Sequence, residues 1–154
     1  MERIEQDAER GQAATVLVIE DEDAIRELTR RVLEREGYEV LVASDGEAAV
    51  EVSRGREGRI DLLVTDLVMP RMCGTEAVER LAAHNPTLRV LFVSGYMERS
   101  LALLSGFEYT ALDPDRALSS ALHAEAGFLA KPFTPRELTR KVRELLDCAE
   151  CALA

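Results

Sequence analysis

Three acidic residues, a serine and a lysine each follow a short apolar run of the sequence. Glu20 and Asp21 end one run, Asp66 ends another, and Ser94 and Lys131 each end a further run. Carboxylate oxygens are ligands that Mg²⁺ prefers. A metal ion held there would draw a phosphoryl group against Asp66, while Lys131 and Ser94 would contact two of the phosphoryl oxygens. These residue types therefore indicate a site in which Asp66 is the nucleophile and an aspartyl phosphate is the product.

Each of these residues also has a common structural role. An Asp at a strand end usually forms a turn, a Ser there usually caps a helix, and a Lys is usually solvated. The acidic run at 20–23 could be a charged loop in which Asp23 is a helix N-cap. That role leaves Glu20 and Asp21 unexplained, because like charges at a strand end repel each other unless a cation joins them. The occurrence of all five residues at strand ends favours a phosphoryl-accepting site over five separate structural roles.

Short apolar runs alternate with amphipathic segments along the chain. Runs of this kind are typical of strands buried on both faces, and the alternation predicts an α/β fold with a parallel sheet between helices. Ligands bind at the carboxyl ends of such strands, where the candidate residues lie. The predicted strands span 16–19, 38–43, 62–64, 89–93 and 127–130, and the predicted helices span 24–36, 75–83 and segments that begin near 45 and 135.

Local signals predict several helix ends. Gly37 is a candidate C-cap, and Thr134 with Glu137 forms a capping box around Pro135 at the first helical position. Ser44 or Asp45 is expected to cap the second helix, and Asn85-Pro86 to end the third.

The overall composition excludes several classes of protein. Hydrophobic residues make up 47% and charged residues 31% of the chain, which is typical of a folded domain and not of a disordered one. A formal net charge of −10 disfavours direct binding to nucleic acid, which needs clustered Lys and Arg. No apolar run is long enough to span a membrane, and the charged N-terminus does not resemble a signal peptide. We therefore expect a cytoplasmic location.

The cysteines have two interpretations. Cys148 and Cys151 form a C-x-x-C pattern, which could be a redox pair or half of a zinc site. A structural zinc site needs four ligands, and no second Cys or His pair lies nearby in the sequence. We therefore interpret both as small residues on a terminal helix, and Cys73 as a small residue at a helix start.

Four sequence blocks carry a resemblance to a known family. They are VIEDE at 18–22, DLVMP at 66–70, VSGY at 93–96 and KPF at 131–133. In this order they resemble the blocks of the response-regulator receiver domains of bacterial two-component signalling, which have the chemotaxis-regulator-like fold. The resemblance extends from about 15 to 147. The GY after Ser94 and the TP after KPF look most like receivers attached to hybrid sensor histidine kinases.

This resemblance implies a flavodoxin-like fold, with five parallel strands in the order 2-1-3-4-5. It implies that Asp66 is the phosphoacceptor, which takes its phosphoryl group from a sensor histidine kinase or a histidine phosphotransfer protein. It further implies Mg²⁺, with Mn²⁺ as an alternative, held by Asp21, Asp66 and the backbone carbonyl of Val68, with Glu20 acting through metal-bound water. The bond between Lys131 and Pro132 is expected to be cis.

The resemblance also implies a switch. Ser94 is expected to move towards the phosphoryl group and Phe128 to follow it, which would reshape the partner-binding face that the last two helices of the receiver family form with its fifth strand. Phe128 has no hydroxyl, and a plain core role is the alternative. Val68 and Tyr96 border the site and are expected to tune the rate at which water attacks the phosphoryl group.

The segment 97–126 is longer than its counterpart in the family. It is interpreted either as an enlarged partner or homodimer surface or as a tolerated surface insertion, and its apolar residues favour the first. We predict a flexible leader or linker at 1–13, a receiver domain at 14–148 and a tail at 149–154. We expect a single-domain regulator, a phosphorelay intermediate or a receiver taken from a hybrid kinase.

Two other classes of function compete with this interpretation. One is a phosphatase or phosphotransferase with an aspartyl-phosphate intermediate, but that chemistry typically has a second acid where this chain has Val68. The other is a degenerate receiver that is never phosphorylated, but the set of acids, Ser94 and Lys131 is complete. We therefore expect a phosphoacceptor domain without a separate substrate, not an enzyme.

Overall fold

The computed structural model describes residues 13–55, 60–66, 74–85, 87–94 and 126–153, and for residues 74, 75, 94 and 148–153 it describes the backbone only. These residues form five strands and four helices. The elements in chain order are β1 (Thr15–Ile19), α1 (Asp23–Arg35), β2 (Glu39–Ala43), α2 (Gly46–Arg54), β3 (Leu62–Asp66), α3 (Gly74–Ala82), β4 (Arg89–Ser94), β5 (Ala126–Ala130) and α4 (Pro135–Leu153).

The five strands form one parallel sheet in the order β2-β1-β3-β4-β5, which confirms the predicted fold class and strand order. Ile19 pairs with Ala43 on one side and with Thr65 on the other. Asp66 pairs with Val93, the residue before the end of β4. The register therefore brings the carboxyl ends of all five strands to one edge of the sheet.

Alternate residues of each strand face opposite layers of helices. In β1, Leu17 and Ile19 belong to the hydrophobic cluster that includes residues of α2 and α3, whereas Val16 and Val18 belong to the cluster that includes residues of α1 and α4. All four side chains are buried. Full burial of an aliphatic side chain contributes about 1.5–3 kcal/mol. A strand that is apolar on both faces is thus stable only between two helical layers, which explains the continuous apolar runs.

Most of the predicted helix ends are confirmed. Gly37 adopts a positive φ of 94° after α1. The Oγ1 of Thr134 accepts from the backbone N–H of Glu137 at 3.1 Å, and Oε1 of Glu137 accepts from the N–H of Thr134 at 3.1 Å, so the capping box is present. Of the two candidates for the second helix, Asp45 is the N-cap, and its Oδ1 accepts from the N–H of Ala48 at 2.7 Å.

Asp23 is not the N-cap of α1, which corrects the alternative considered from the sequence. It is the first residue of the helix, and Glu22 occupies the N-cap position without a side-chain capping bond. The physical reason is that the carboxylate of Asp23 binds the guanidinium of Arg26 one turn further along. The acidic residue still lies in the first turn, where it interacts favourably with the helix dipole.

Several predictions fall outside the described residues. They concern Cys73, Tyr96, the leader and nearly all of segment 97–126. The helix α4 includes Cys148 and Cys151. The domain boundaries and the homodimer surface stay predictions. Within the part of the chain that the structure describes, no helix combines the length and apolar character needed to cross a membrane.

Asn85 joins the end of α3 to the segment that leads into β3. Its Oδ1 accepts from the N–H of Ile60 at 3.1 Å, and its Nδ2 donates to the carbonyl of Leu81 at 3.1 Å. Because Asn85 is buried, Asn85→Ala leaves two buried backbone groups without these partners. We expect it to lower the free energy of unfolding in urea by about 1–3 kcal/mol.

Arg140→Ala is the control for this measurement, because the Arg140 side chain is 81% exposed. We expect that change to alter the free energy of unfolding by no more than about 0.5 kcal/mol. An equal change in the free energy of unfolding for Asn85→Ala and Arg140→Ala would contradict the role of Asn85 in joining α3 to the segment before β3.

Candidate functional site

Lys131 contacts two carboxylates that come from different strands. Its Nζ lies 2.7 Å from Oε1 of Glu20 and 3.1 Å from Oδ2 of Asp66. Glu20 directly follows β1, Asp66 ends β3, and Lys131 directly follows β5. The topology of the sheet thus assembles this group from three parts of the chain that are far apart in the sequence.

The two carboxylates differ in their access to water. The side chain of Glu20 is 4% exposed, whereas those of Asp66 and Lys131 are 17% and 22% exposed. An ionised carboxylate that is nearly excluded from water needs a nearby cation or several hydrogen-bond donors. Lys131 supplies that cation to Glu20, while Asp66 keeps more of its access to solvent.

The protonation behaviour of the group follows from this environment. Burial raises the pKa of the Glu20 carboxyl above its ordinary value; the hydrogen bond from Lys131 opposes this effect, and the neighbouring Asp21 adds to it. The interaction with Glu20 lowers the pKa of Asp21 below its ordinary value. The pKa values of these two neighbouring carboxyls are thus shifted in opposite directions.

Lys131 remains protonated in this setting. Burial by itself would lower the pKa of Lys131, but the hydrogen bonds to Glu20 and Asp66 outweigh burial and raise the pKa above its ordinary value. The ammonium group is thus a fixed positive charge at neutral pH beside Asp66.

Backbone and side-chain hydrogen bonds define the turn between β1 and α1. The N–H of Glu20 donates to the carbonyl of Ala43 in β2 at 3.1 Å. The Oε2 of Glu20 accepts from the N–H of Glu22 at 3.3 Å, and the backbone carbonyl of Glu20 accepts from Nη1 of Arg26 at 2.9 Å. These bonds hold the turn from which the side chains of Glu20 and Asp21 project.

Asp66 is positioned by the central strand of the sheet. Strand β3 lies between β1 and β4, and Thr65 is buried. The Oγ1 of Thr65 donates to the backbone carbonyl of Asp66 at 3.1 Å. The half-buried carboxylate of Asp66 therefore stands at the end of a strand that is paired on both sides.

The structure brings some of the predicted site residues together. Glu20, Asp66 and Lys131 are in direct contact, and Asp21 follows Glu20 with an exposed side chain. Ser94 ends β4, where its backbone pairs with Ala130, the residue before Lys131.

The other predicted site residues are less fully described. Phe128 is buried and packs in the cluster on the α2 and α3 side, where it pairs with Phe92 across the sheet. Val68 and Tyr96 lie outside the described residues. The peptide bond between Lys131 and Pro132 is cis, as predicted.

Arg26 is not among the site residues predicted from the sequence. An acidic and a basic residue three positions apart on a helix, here Asp23 and Arg26, can form an ion pair, and this spacing is visible in the sequence. The contact between Arg26 and the carbonyl of Glu20 has no such signal, because it depends on the path of the turn.

The predicted metal ligands are not gathered into one cluster in this arrangement. Among the described residues, no group of three or more His, Cys, Asp or Glu side chains is close enough to hold a metal ion. In this arrangement Lys131 contacts both Glu20 and Asp66. The chemistry of the donors nevertheless fits Mg²⁺, because Glu20, Asp21 and Asp66 offer only carboxylate oxygens.

A comparison with models of protein families identifies the family of this chain. The model of the response regulator receiver domain matches residues 16–143 of the chain. The chain belongs to this family. Receiver domains are regulatory phosphoacceptor domains of two-component systems; they interact with histidine kinases or phosphotransfer proteins and generally bind Mg²⁺.

Individual relatives agree with this assignment. The chain is 35% identical over 145 residues to the sensor kinase CckA of Brucella abortus (strain 2308), which covers 94% of this chain and 14% of the kinase. It is 33% identical over 134 residues to the response regulator receiver protein CpdR of the same strain, which covers 87% of this chain and 98% of CpdR. The chain thus matches a small part of the sensor kinase CckA and nearly all of CpdR.

Solved structures show the same fold. The crystal structure of the receiver domain from the hybrid histidine kinase CckA matches with a TM-score of 0.66 and 31% identity, and the match covers 86% of this chain and 99% of that chain. The resemblance to response-regulator receiver domains, inferred from the four sequence blocks, is therefore confirmed, and a hybrid-kinase receiver is among the similar structures.

Replacing Lys131 tests the competition between its ammonium group and a metal ion. Lys131→Met leaves Glu20 and Asp66 without their cation, so both acids become available to Mg²⁺. We expect the affinity for Mg²⁺, measured by calorimetric titration with MgCl₂, to increase at least about fivefold, because a like charge a few Å from the metal is removed.

The matched control is Arg140→Met, which removes the same charge at an exposed position on α4. We expect that change to alter the affinity by less than about twofold, because exposed charges are screened by solvent and salt. An unchanged or weaker affinity in Lys131→Met would contradict the proposed competition.

Proposed function

We propose that this receiver domain accepts a phosphoryl group on Asp66 from the phosphohistidine of a sensor histidine kinase or a histidine phosphotransfer protein, in a reaction that depends on Mg²⁺. The observation that carries the proposal is the contact of 3.1 Å between Nζ of Lys131 and Oδ2 of Asp66, beside a nearly buried carboxylate of Glu20. Asp66 thus has a fixed cation next to it and two further acids directly after the neighbouring strand.

The bond changes of the transfer are simple. A carboxylate oxygen of Asp66 attacks the phosphorus atom, the P–N bond to the donor histidine breaks, and its electron pair stays on the imidazole nitrogen. Little other covalent chemistry is required of the protein, so catalysis depends on positioning and on neutralising charge. Lys131 orients the carboxylate before the attack, and its ammonium can neutralise a phosphoryl oxygen after it.

Glu20, Asp21 and Asp66, with the backbone carbonyl of Val68, would hold Mg²⁺, or Mn²⁺ in its place. The ion when bound neutralises negative charge on the phosphoryl oxygens. The raised pKa of Lys131 supports a role that needs a permanent charge, since the group does not lose its proton near neutral pH. The exposed carboxylate of Asp21, whose pKa is lowered, suits a ligand that must be ionised.

Ser94 and Phe128 are proposed to report the state of Asp66. Ser94 ends the strand next to β3, which supports a hydrogen bond from its hydroxyl to the attached phosphoryl group. Phe128 is buried against the core in this structure, so a switch would require it to repack next to Phe92. We propose that Val68 and Tyr96 influence the lifetime of the phosphoryl group.

The identity of Asp66 as the phosphoacceptor is tested with acetyl phosphate. We expect the wild-type protein to gain the mass of one phosphoryl group when acetyl phosphate and Mg²⁺ are both present, and not when a chelator removes the metal. Asp66→Asn should gain none, because an amide is not a nucleophile towards phosphorus. Intact-protein mass spectrometry measures both results.

Asp147→Asn is the matched control, since it makes the same change at an exposed position on α4. This variant should be labelled as fully as the wild type. Labelling of Asp66→Asn, or no labelling of the wild type, would count against the proposal, and turnover of an added phosphoester would favour an enzyme instead.

A further inference from the structure

Arg26 reaches back from the first turn of α1 to the turn that carries Glu20 and Asp21. Its Nη1 donates to the backbone carbonyl of Glu20 at 2.9 Å, and its Nη2 binds the carboxylate of Asp23. The side chain is only 21% exposed. One guanidinium thus joins the residue that follows β1 to the residue that begins α1.

This contact completes the hydrogen bonding of Glu20. The N–H of Glu20 is bonded to Ala43, and its carboxylate is bonded to Glu22 and Lys131. Its carbonyl is the remaining polar group, and Arg26 binds it. Because the peptide plane after Glu20 is held by its oxygen, the direction in which Asp21 leaves the backbone is restricted as well.

A plain surface ion pair is the alternative explanation for Arg26. Exposed ion pairs three or four positions apart on a helix stabilise it only slightly, and Arg31 with Glu27 is such a pair, with an Arg31 side chain that is 71% exposed. Arg26 differs in two ways, because it is largely shielded from solvent and because it binds a backbone atom of a site residue. The planar guanidinium can bind two acceptors at once, which a single ammonium group does less well.

We propose that Arg26 is a positioning residue for the carboxylates of Glu20 and Asp21. It acts through the carbonyl of Glu20 and contacts no reacting atom. By holding the turn, it increases the affinity of the two carboxylates for Mg²⁺. This inference rests on the proposed function, in which these acids serve the metal ion.

The charge of Arg26 alone would have the opposite effect. A guanidinium close to the metal site repels Mg²⁺, so its removal would tighten metal binding if charge were its only influence. Loss of positioning would weaken metal binding, and residues that orient metal ligands typically contribute a factor of about 10–100 to metal affinity. The sign of the change therefore separates the two roles.

The experiment is a titration of the ¹⁵N-labelled protein with MgCl₂, followed by NMR. Arg26→Met keeps the apolar stem but removes the charge and both hydrogen bonds. We expect its dissociation constant for Mg²⁺ to rise about tenfold. In the metal-free spectrum, we expect the amide signals of Glu20, Asp21 and Glu22 to shift while those of β4 and α4 do not.

Arg31→Met is the matched control, because it makes the same change of charge on the same helix without a contact to the turn. Its dissociation constant should stay within about twofold of the wild-type value. Arg26→Lys keeps the charge but not the planar fork, so we expect it to bind Mg²⁺ more weakly than the wild type and more tightly than Arg26→Met.

A double-mutant cycle with Asp23 gives a second test, which also serves if Arg26→Met does not fold. Asp23 is exposed, so Asp23→Ala is expected to fold, and it removes one of the two acceptors of Arg26. If Asp23 acts through Arg26, Asp23→Ala weakens Mg²⁺ binding in the wild type, has a smaller effect in Arg26→Lys and has little further effect in Arg26→Met. Equal effects in all backgrounds would overturn the inference.

The failure of this inference differs from the failure of the proposed function. If the wild type is labelled by acetyl phosphate but Arg26→Met binds Mg²⁺ as tightly as the wild type or more tightly, Arg26 is not a positioning residue. If the wild type neither binds Mg²⁺ nor is labelled, the proposed function fails. The metal-free amide shifts then still decide whether Arg26 holds the turn: local shifts support that role and an unchanged spectrum overturns it.

Discussion

The arrangement depends on the pairing of Lys131 with Glu20 and Asp66. Adjacent strands of the sheet deliver acids to the same edge, and such acids repel each other when they are shielded from water. A cation must therefore join them, and in this structure the cation is an ammonium group from the far side of the sheet. Two strand spacings, roughly 10 Å, separate β5 from β3. The long, flexible side chain of Lys131 allows its Nζ to reach the carboxylate of Asp66 across β4, and a shorter side chain would not extend as far.

Much of the fold could be predicted from the sequence because its signals are local or periodic. Continuous apolar runs identify strands that are buried on both faces, and the observed strands match them to within one or two residues. The capping box at Thr134 and Glu137 was also predictable, since both of its hydrogen bonds lie within four residues. The order of the strands came from the resemblance of four short blocks to receiver domains, which no periodicity could supply.

The details of the site could not be predicted because they depend on contacts between distant parts of the chain. The sequence placed Glu20, Asp66 and Lys131 at one edge, but not which of them would bind to each other. The predicted metal ligands include Glu20, Asp21 and Asp66, and in the structure Lys131 contacts two of these acids. Asp23 likewise has the residue type of an N-cap, and its carboxylate instead pairs with Arg26. In both cases the carboxylate pairs with a nearby cationic side chain.

Two cations act on Glu20, and they bind different atoms. Lys131 binds the carboxylate and therefore competes with any metal ion for it, whereas Arg26 binds the backbone carbonyl and leaves the carboxylate accessible. If Lys131 were the only cation that held Glu20, its departure to admit a metal ion would leave the turn less ordered. Because Arg26 binds the backbone carbonyl instead of the carboxylate, its contact does not have to break when a metal ion binds. If the carboxylates exchange Lys131 for Mg²⁺, as proposed, the contact between Arg26 and the carbonyl of Glu20 can persist, and the turn then does not need to refold.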